Sequence, residues 1–301
     1  MQARRHAAPV LKISSIRGNR LALDGGAMFG HVPRALWAKW YAPDDQNRIE
    51  LTCRAFLLED GERRILIETG IGAFFEPKLQ ERYGVVETGH VLLDSLRERG
   101  LSPDDIDVVL LSHLHFDHAG GVLAPFAAGE GLRLVFPRAT FVTSAAAFER
   151  AARPHKRDRA SFIPGLAELL HASGRLRLLT AQEDSCPELG PRIRCVHSTG
   201  HTDGMLLPFL QGTFATAVFC ADLIPGVPWI HLPITMGYDR FPEQLVDEKE
   251  QLYRQLGHGG LLLFTHDPDA AAATLGEESP GRFSAVSRHQ ELHRLDLDAL
   301  T

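Results

Sequence analysis

No stretch of this sequence approaches the roughly 20 consecutive apolar residues that a membrane-spanning helix needs, and the first residues build no apolar leader. Met1 to Ala8 carries Arg4-Arg5, but Pro9-Val10-Leu11-Lys12 follows without a hydrophobic run. A basic surplus is missing too. Thirty-two Lys and Arg stand against 38 Asp and Glu, a formal charge of −6, so nothing electrostatic asks for nucleic acid. Cysteine is sparse, and Cys53, Cys186, Cys195 and Cys220 show no CxxC spacing. Cys195 and Cys220 lie in apolar runs, where a free thiol packs as a small hydrophobe, and a Cys186–Cys195 disulfide is a minor alternative. No low-complexity segment or Ser/Gly linker divides the chain, and no serine or cysteine sits in a recognisable nucleophile motif.

What is present is ordinary globular material, 44% hydrophobic and 23% charged, over a length that can bury a substantial core. The expectation is one domain over 1–301, with an N-terminal extension of about 1–50 covering the active site, in a cytoplasmic protein. Strands are expected at Val10–Ile13, Cys53–Leu58 and Arg64–Glu68, the last two joined by the turn Glu59-Asp60-Gly61 as a hairpin. Helical spacing runs from Thr88 to Arg99 and ends at Gly100. Asp107–Ser112 and Leu261–Thr265 read as short strands covered on both faces. Arg192–Val196 and Ala215–Cys220 read as further strands, Gln244–Leu256 as a helix, and the basic stretch Phe148–Arg159 as a mobile loop. Two successive mixed halves suggest packed sheets with helices outside, an α/β (α+β) class.

Seven residues belong together: His113, His115, Asp117, His118, His201, Asp222 and His266. Imidazole nitrogens and carboxylate oxygens are good ligands for borderline divalent metals. Each of the seven follows a predicted apolar strand, where a loop can converge on a common point. His113 and His115 alternate, so an extended backbone turns both imidazoles to one side. Ala119-Gly120-Gly121 then allows a tight turn. A lone His201 or His266 is more often a hydrogen-bonded structural histidine. The whole set is different, because a fold has no packing reason to gather so many titratable groups beyond apolar strands.

The string His113-Leu114-His115-Phe116-Asp117-His118-Ala119-Gly120-Gly121 resembles the signature of the metallo-β-lactamase superfamily. Ser198 to Gly204 resembles its second metal motif, Ala221-Asp222-Leu223 its bridging carboxylate, and Thr265-His266-Asp267 its last ligand. The resemblance implies a four-layer αββα sandwich with the site at one edge. It implies two divalent metal ions, zinc first, with manganese, cobalt or iron as alternatives. His113, His115 and His201 would hold one ion, Asp117, His118 and His266 the other, with Asp222 shared. Redox diiron relatives carry a carboxylate where this chain has His115, which favours hydrolysis. True β-lactamases lack an aspartate at the position of Asp222, which argues against antibiotic hydrolysis. Glu68 stands where relatives usually carry Asp, and would orient a ligand histidine from behind.

The arrangement looks most similar to the lactonase and organophosphate-hydrolase branch, which includes quorum-quenching lactonases acting on N-acyl-homoserine lactones. That implies cleavage of a lactone or ester by a hydroxide bridging the metals, with phosphotriesterase or arylesterase side activity and Asp117 and Asp222 as catalytic residues. Many such lactonases place a Tyr three positions beyond the bridging Asp. Here that position is Pro225, with Tyr238 as the candidate replacement. A glyoxalase II-like thioesterase is the alternative; a β-lactamase or a non-catalytic metal-binding module ranks lower. The aromatic, irregular segments around Met28 and Phe29, and around Trp229, His231 and Tyr238, are expected to wall an apolar substrate pocket. The expected partner is a small molecule, with no nucleic acid and no membrane, and a homodimer is left open.

Overall fold

The computed structural model describes residues 10–300, so the reading of Met1 to Ala8 lies outside the described residues. Two sheets carry the architecture. The first has seven strands in the order Leu295–Asp296, Leu11–Ile16, Ala55–Asp60, Arg63–Ile67, Val108–Leu110, Thr140–Ser144, Leu176–Leu179. The second has six, in the order Arg282–His289, Ala272–Ser279, Leu261–Leu263, Thr216–Phe219, Met205–Gln211, Ile193–Ser198. Phe56 meets Phe219 edge-on at 5.8 Å between the sheets, within one continuous apolar cluster. Helices Val91–Glu98 and Ala145–Ala152 pack on the first sheet, and the long helix Pro242–Leu256 on the second. The layers are α, β, β and α.

The expected hairpin forms with Phe56 opposite Ile67 and Asp60 opposite Arg63, its turn being Gly61-Glu62 with Glu59 and Asp60 still in the strand. The short strands Val108–Leu110 and Leu261–Leu263 are buried along their whole length, as parallel strands covered on both faces must be. Two expectations need correction. The segment before residue 50 is no separate extension throughout, because Leu11–Ile16 pairs residue for residue with Ala55–Asp60 inside the first sheet. Only the ribbon Arg20–Asp24 with Arg48–Thr52, and the turns between them, reaches over the site. Phe148–Arg159 is not a free loop either. Ala145–Ala152 is helical, capped by the Ser144 hydroxyl, and Asp158 binds both Arg150 and Arg240. Arg150 and Asp158 find partners, Asp203 and Arg240 among them, that composition does not reveal. All four cysteines are buried and free, so Cys186 and Cys195 form no disulfide. No helix among the described residues is long and apolar enough to cross a membrane.

Candidate metal centre

The strand Val108–Leu110 delivers the first ligands. Ser112 N–H donates to Glu68 Oε1 at 2.6 Å, and Glu68 N–H donates to Leu110 O at 2.9 Å, so the two strand ends are clamped together. Glu68 holds a left-handed backbone, φ 64°, and Ala221, directly before Asp222, has φ 44°. A non-glycine residue there costs about 1–3 kcal/mol, a strain typical of sites where side-chain aim matters more than backbone ease. After His115 the chain turns into the short helix Phe116–Ala119, which carries Asp117 and His118. Gly121 is needed for close approach rather than for an unusual turn. A Cβ on it would sit 2.0 Å from Thr69 O.

The second sheet supplies the rest from three strand ends. The turn before His201 is gripped by the Glu248 carboxylate, which accepts from Ser198 Oγ at 2.6 Å, Thr199 N at 2.9 Å and Gly200 N at 3.1 Å. Asp222 follows Thr216–Phe219, and His266 follows Leu261–Leu263.

All seven predicted ligands converge, in two groups. His113 Nε2 and His201 Nε2 lie 3.0 and 3.3 Å from His115 Nδ1. On the other side His118 Nε2 and His266 Nε2 are 3.2 Å apart, with Asp117 Oδ2 at 3.5 Å from His266. Asp222 faces both groups. Its Oδ1 lies 3.1 Å from His118 and 3.2 Å from His266, and its Oδ2 lies 3.2 Å from His201. Within each group the donor atoms lie within 4.8 Å of one another, and every one of these residues is buried.

The outer nitrogens explain the aim. His113 Nδ1 pairs with Ser112 Oγ at 2.9 Å, and His201 Nδ1 with Asp239 Oδ1 at 2.8 Å. His266 Nδ1 pairs with the Thr52 carbonyl at 2.7 Å, and His118 Nδ1 faces Glu68 Oε2 at 3.3 Å. Such contacts fix the tautomer and point the other nitrogen inward. Glu68 therefore stands where the sequence put it, behind His118. Asp239 was missed, because an aspartate between Tyr238 and Arg240 carries no motif.

The electrostatics follow from burial and charge. Burial, with His118 and His115 adjacent, holds the His113 imidazole well below its ordinary value, and burial with His201 does the same for His115. Burial also opposes charge on His118 and His201. There Asp222 outweighs it, helped by Asp117 at His118 and Asp239 at His201, and both are raised. Asp222, though buried, is held well below the carboxylate range by His118, His201 and His266. Inward lone pairs crowded around an ionised carboxylate repel unless protons or cations lie among them. Asp222 Oδ1 is moreover buried without a hydrogen-bond donor in good geometry. This donor set fits a pair of borderline divalent cations.

Above the ligands lies a cavity of about 330 Å³. Met28 and Tyr238 line it, as expected, as does Met236 of the same segment, together with Leu23, Leu51, Tyr83, Phe116 and Arg157, which no sequence signal marked as pocket residues. Phe29 and Trp229 do not line it. They are fully buried, stack at 4.4 Å, and join Trp37 and Tyr41 in an aromatic core, with Trp229 Nε1 donating to Met28 O at 3.0 Å. Large apolar faces gain most from complete burial, which took both rings inward. His231 is exposed and lies off the cavity. Tyr238 keeps 41% of its surface exposed, yet partial burial and the Asp117 carboxylate push its hydroxyl up to about 12, so it carries its proton at neutral pH.

Residues 48–128 match the family described as Metallo-beta-lactamase superfamily. An N-acyl homoserine lactonase, AiiB, from Agrobacterium fabrum is 31% identical over 168 residues, which is 52% of this chain and 57% of that protein. The chain thus spans little more than half the length of the curated relatives it first matches. A protein from Staphylococcus aureus described as a "probable metal-dependent hydrolase" superposes with a TM-score of 0.82 at 27% identity, covering 96% of this chain and 99% of that one. AidC, described as a dizinc quorum-quenching lactonase, shares the fold at a TM-score of 0.71 and 19% identity, covering 94% and 96%. Ligands, strand-end placement, sheet order and these likenesses agree: residues 48–128, which hold His113, His115, Asp117 and His118, carry a metallo-β-lactamase superfamily domain.

Proposed function

We propose that this protein is a dinuclear metal-dependent hydrolase that cleaves a lactone or ester of a small, partly apolar carbonyl compound. One observation carries the reading most directly. The two oxygens of Asp222 face different ligand groups at the base of a cavity walled by Leu23, Met28, Leu51 and Met236. His113, His115 and His201 would hold one ion and Asp117, His118 and His266 the other, joined by Asp222; zinc suits this nitrogen-rich set. When bound, two such ions polarise a carbonyl oxygen and lower the pKa of bound water.

The chain's own groups supply the rest. The apolar walls take the acyl or ring part of the substrate and exclude bulk water, which strengthens every charge interaction inside. Asp117 lines the cavity beside His266 and is placed to receive a proton from water and return it to the leaving oxygen, so that one water is added across the C–O bond. Tyr238, protonated at the rim, can donate to a carbonyl or leaving oxygen. The lactonases among the similar proteins support a lactone as the first substrate to try, with phosphotriesters and aryl esters as the side substrates that the sequence resemblance implies. The test is a panel of lactones, aryl esters, thioesters and phosphotriesters with zinc-, manganese- and cobalt-loaded protein. Lactone turnover well above the rest is the expected result. Dominant thioester turnover would favour a glyoxalase II-type reading, and full metal loading without turnover would sink the hydrolase reading.

A further inference from the structure

Among the described residues Arg157 is the only Lys or Arg that lines the cavity over the metal ligands. It also lines a second, wider groove, about 940 Å³, whose apolar side includes Leu232, Pro233 and Val246. Arg157, Met236 and Gly237 border both spaces, so they form the rim between them. Nη2 of Arg157 donates to Gly237 O at 3.0 Å, which ties the guanidinium across that rim. The backbone beneath is fixed: the next residue, Asp158, is held by Arg150 and Arg240, all three largely buried.

The carboxylate next to Arg157 in the chain is already answered. Asp158 is answered by two arginines, and Arg153 pairs with Glu149. Lys156, Arg157 and Arg159 have no carboxylate within ion-pair distance among the described residues. Of these three only Arg157 lines the cavity or the groove, so it is the cation there that has no carboxylate partner among the described residues. A guanidinium presents five donors in a planar fork suited to carboxylates, and one bond to Gly237 leaves most of them unused.

We infer that Arg157 is a specificity-determining residue that selects substrates bearing a carboxylate or similar anion distal to the bond cleaved, at the junction of cavity and groove. This rests on the hydrolase reading above and narrows its substrate class. The reacting carbonyl sits over the metal ligands, the apolar middle contacts Met236 and Leu23, and the anion meets Arg157.

The test compares p-nitrophenyl esters of glutaric and pentanoic acid, equal in chain length and differing in a terminal carboxylate against a methyl. Zinc-loaded wild type should favour the glutarate ester in kcat/KM by roughly tenfold, the range of a charge-assisted hydrogen bond partly screened by solvent. Arg157→Gln should bring the ratio near one, Arg157→Glu should invert it, and the wild-type preference should shrink as salt is raised. Calorimetry supplies a readout apart from turnover: glutarate should bind wild type more tightly than Arg157→Gln, while pentanoate binds both alike. If neither ester is cleaved, the lactone and thioester panel decides the hydrolase reading and the calorimetry decides Arg157 by itself. Equal wild-type rates on both esters, or equal glutarate binding in the two proteins, overturns the inference. Faster cleavage of long neutral esters by Arg157→Ala, with no loss on glutarate, also overturns it by making the residue a steric wall.

Discussion

On the floor of the cavity, four of the five inward-facing histidines are held from behind, by Ser112, Glu68, Asp239 and the Thr52 carbonyl. The wall side chains lack such bonds, and the hydrogen bonds that hold the walls reach their backbone, as at Met28 O and Met236 N. Leu23 and Leu51 share one two-stranded ribbon, Met28 and Met236 come from two other segments, and all four meet the cavity through apolar side chains. The difference follows from what each part must do. A ligand misplaced by a fraction of an ångström loses its metal, whereas an apolar wall tolerates small shifts at little cost in free energy. Floors of this kind are fixed by hydrogen bonds at strand ends, and walls by loops that can vary.

The sharpest way to break this contrast is to remove the residue that joins the two ligand groups. Asp222→Ala should lower turnover by ~10³-fold or more, since metal assistance contributes several kcal/mol. Bound metal should fall below about two ions per chain. Near-native turnover with full metal content would mean that the ligand groups work without their shared carboxylate.

Trp229→Ala comes next, and its effect should be on stability. The indole is fully buried against Phe29 and Tyr41, so the loss should be about 3–5 kcal/mol in urea unfolding. Any residual loss of activity should fall equally on short and long esters. A selective loss on long esters would put the indole back on the wall.

These two residues also show what was legible in the sequence. The ligands were, because imidazoles and carboxylates directly after apolar strands have no packing reason to be there. Pairing and burial then made the expected strands around them. The walls were not, because Leu51 facing a cavity and Leu58 facing the core are the same residue type at the ends of similar runs. Trp229 was misplaced for the same reason: aromatic character does not say which way a ring turns. The hairpin Ala272–Ser279 with Arg282–His289 went unseen because alanine, glycine and serine favour strands weakly, and its pairing with Leu261–Leu263 decides the matter. Partners separated widely in sequence, such as Asp239 for His201, left no local trace.

Asp239→Asn sharpens the comparison from the floor's side. The amide keeps the shape but loses the charge facing His201 Nδ1, and metal affinity or activity should drop by ~10–100-fold. Because Asp239 Oδ2 also accepts from Met236 N at 2.6 Å, the same change loosens the wall. Metal titration followed by the kinetics of short and long esters separates the two effects. An unchanged metal affinity would mean that His201 needs no carboxylate behind it.

The smallest effect at neutral pH belongs to Lys249, and its pH dependence makes it informative. This lysine is wholly buried on helix Pro242–Leu256, where its Nζ donates to the carbonyls of Trp229 and Ile234 under the loop that supplies Met236 to the wall. Its charge alone would have placed it in solvent, although its spacing from Leu245, Leu252 and Tyr253 puts it on the buried face of the helix. Burial lowers its pKa from 10.5 to about 7, against a smaller opposing pull from Asp239. The neutral amine still has two hydrogens for the two carbonyls, so the loop stays pinned when the proton leaves. Between about pH 7 and 10.5 the unfolded chain keeps a proton that the folded chain has released, so this group stabilises the fold increasingly as pH rises through that window. Lys249→Met removes the titration but strands two carbonyls, each costing about 1–3 kcal/mol, against relief from burying an ammonium. Near pH 7 these terms oppose each other and the variant should differ little from wild type. Toward pH 10 wild type should pull ahead steadily in urea unfolding, because only it keeps the carbonyls bonded without a buried charge. A constant difference across the window would mean that the ammonium stays charged in the fold, and that the wall loop is held by charge after all, as the floor is.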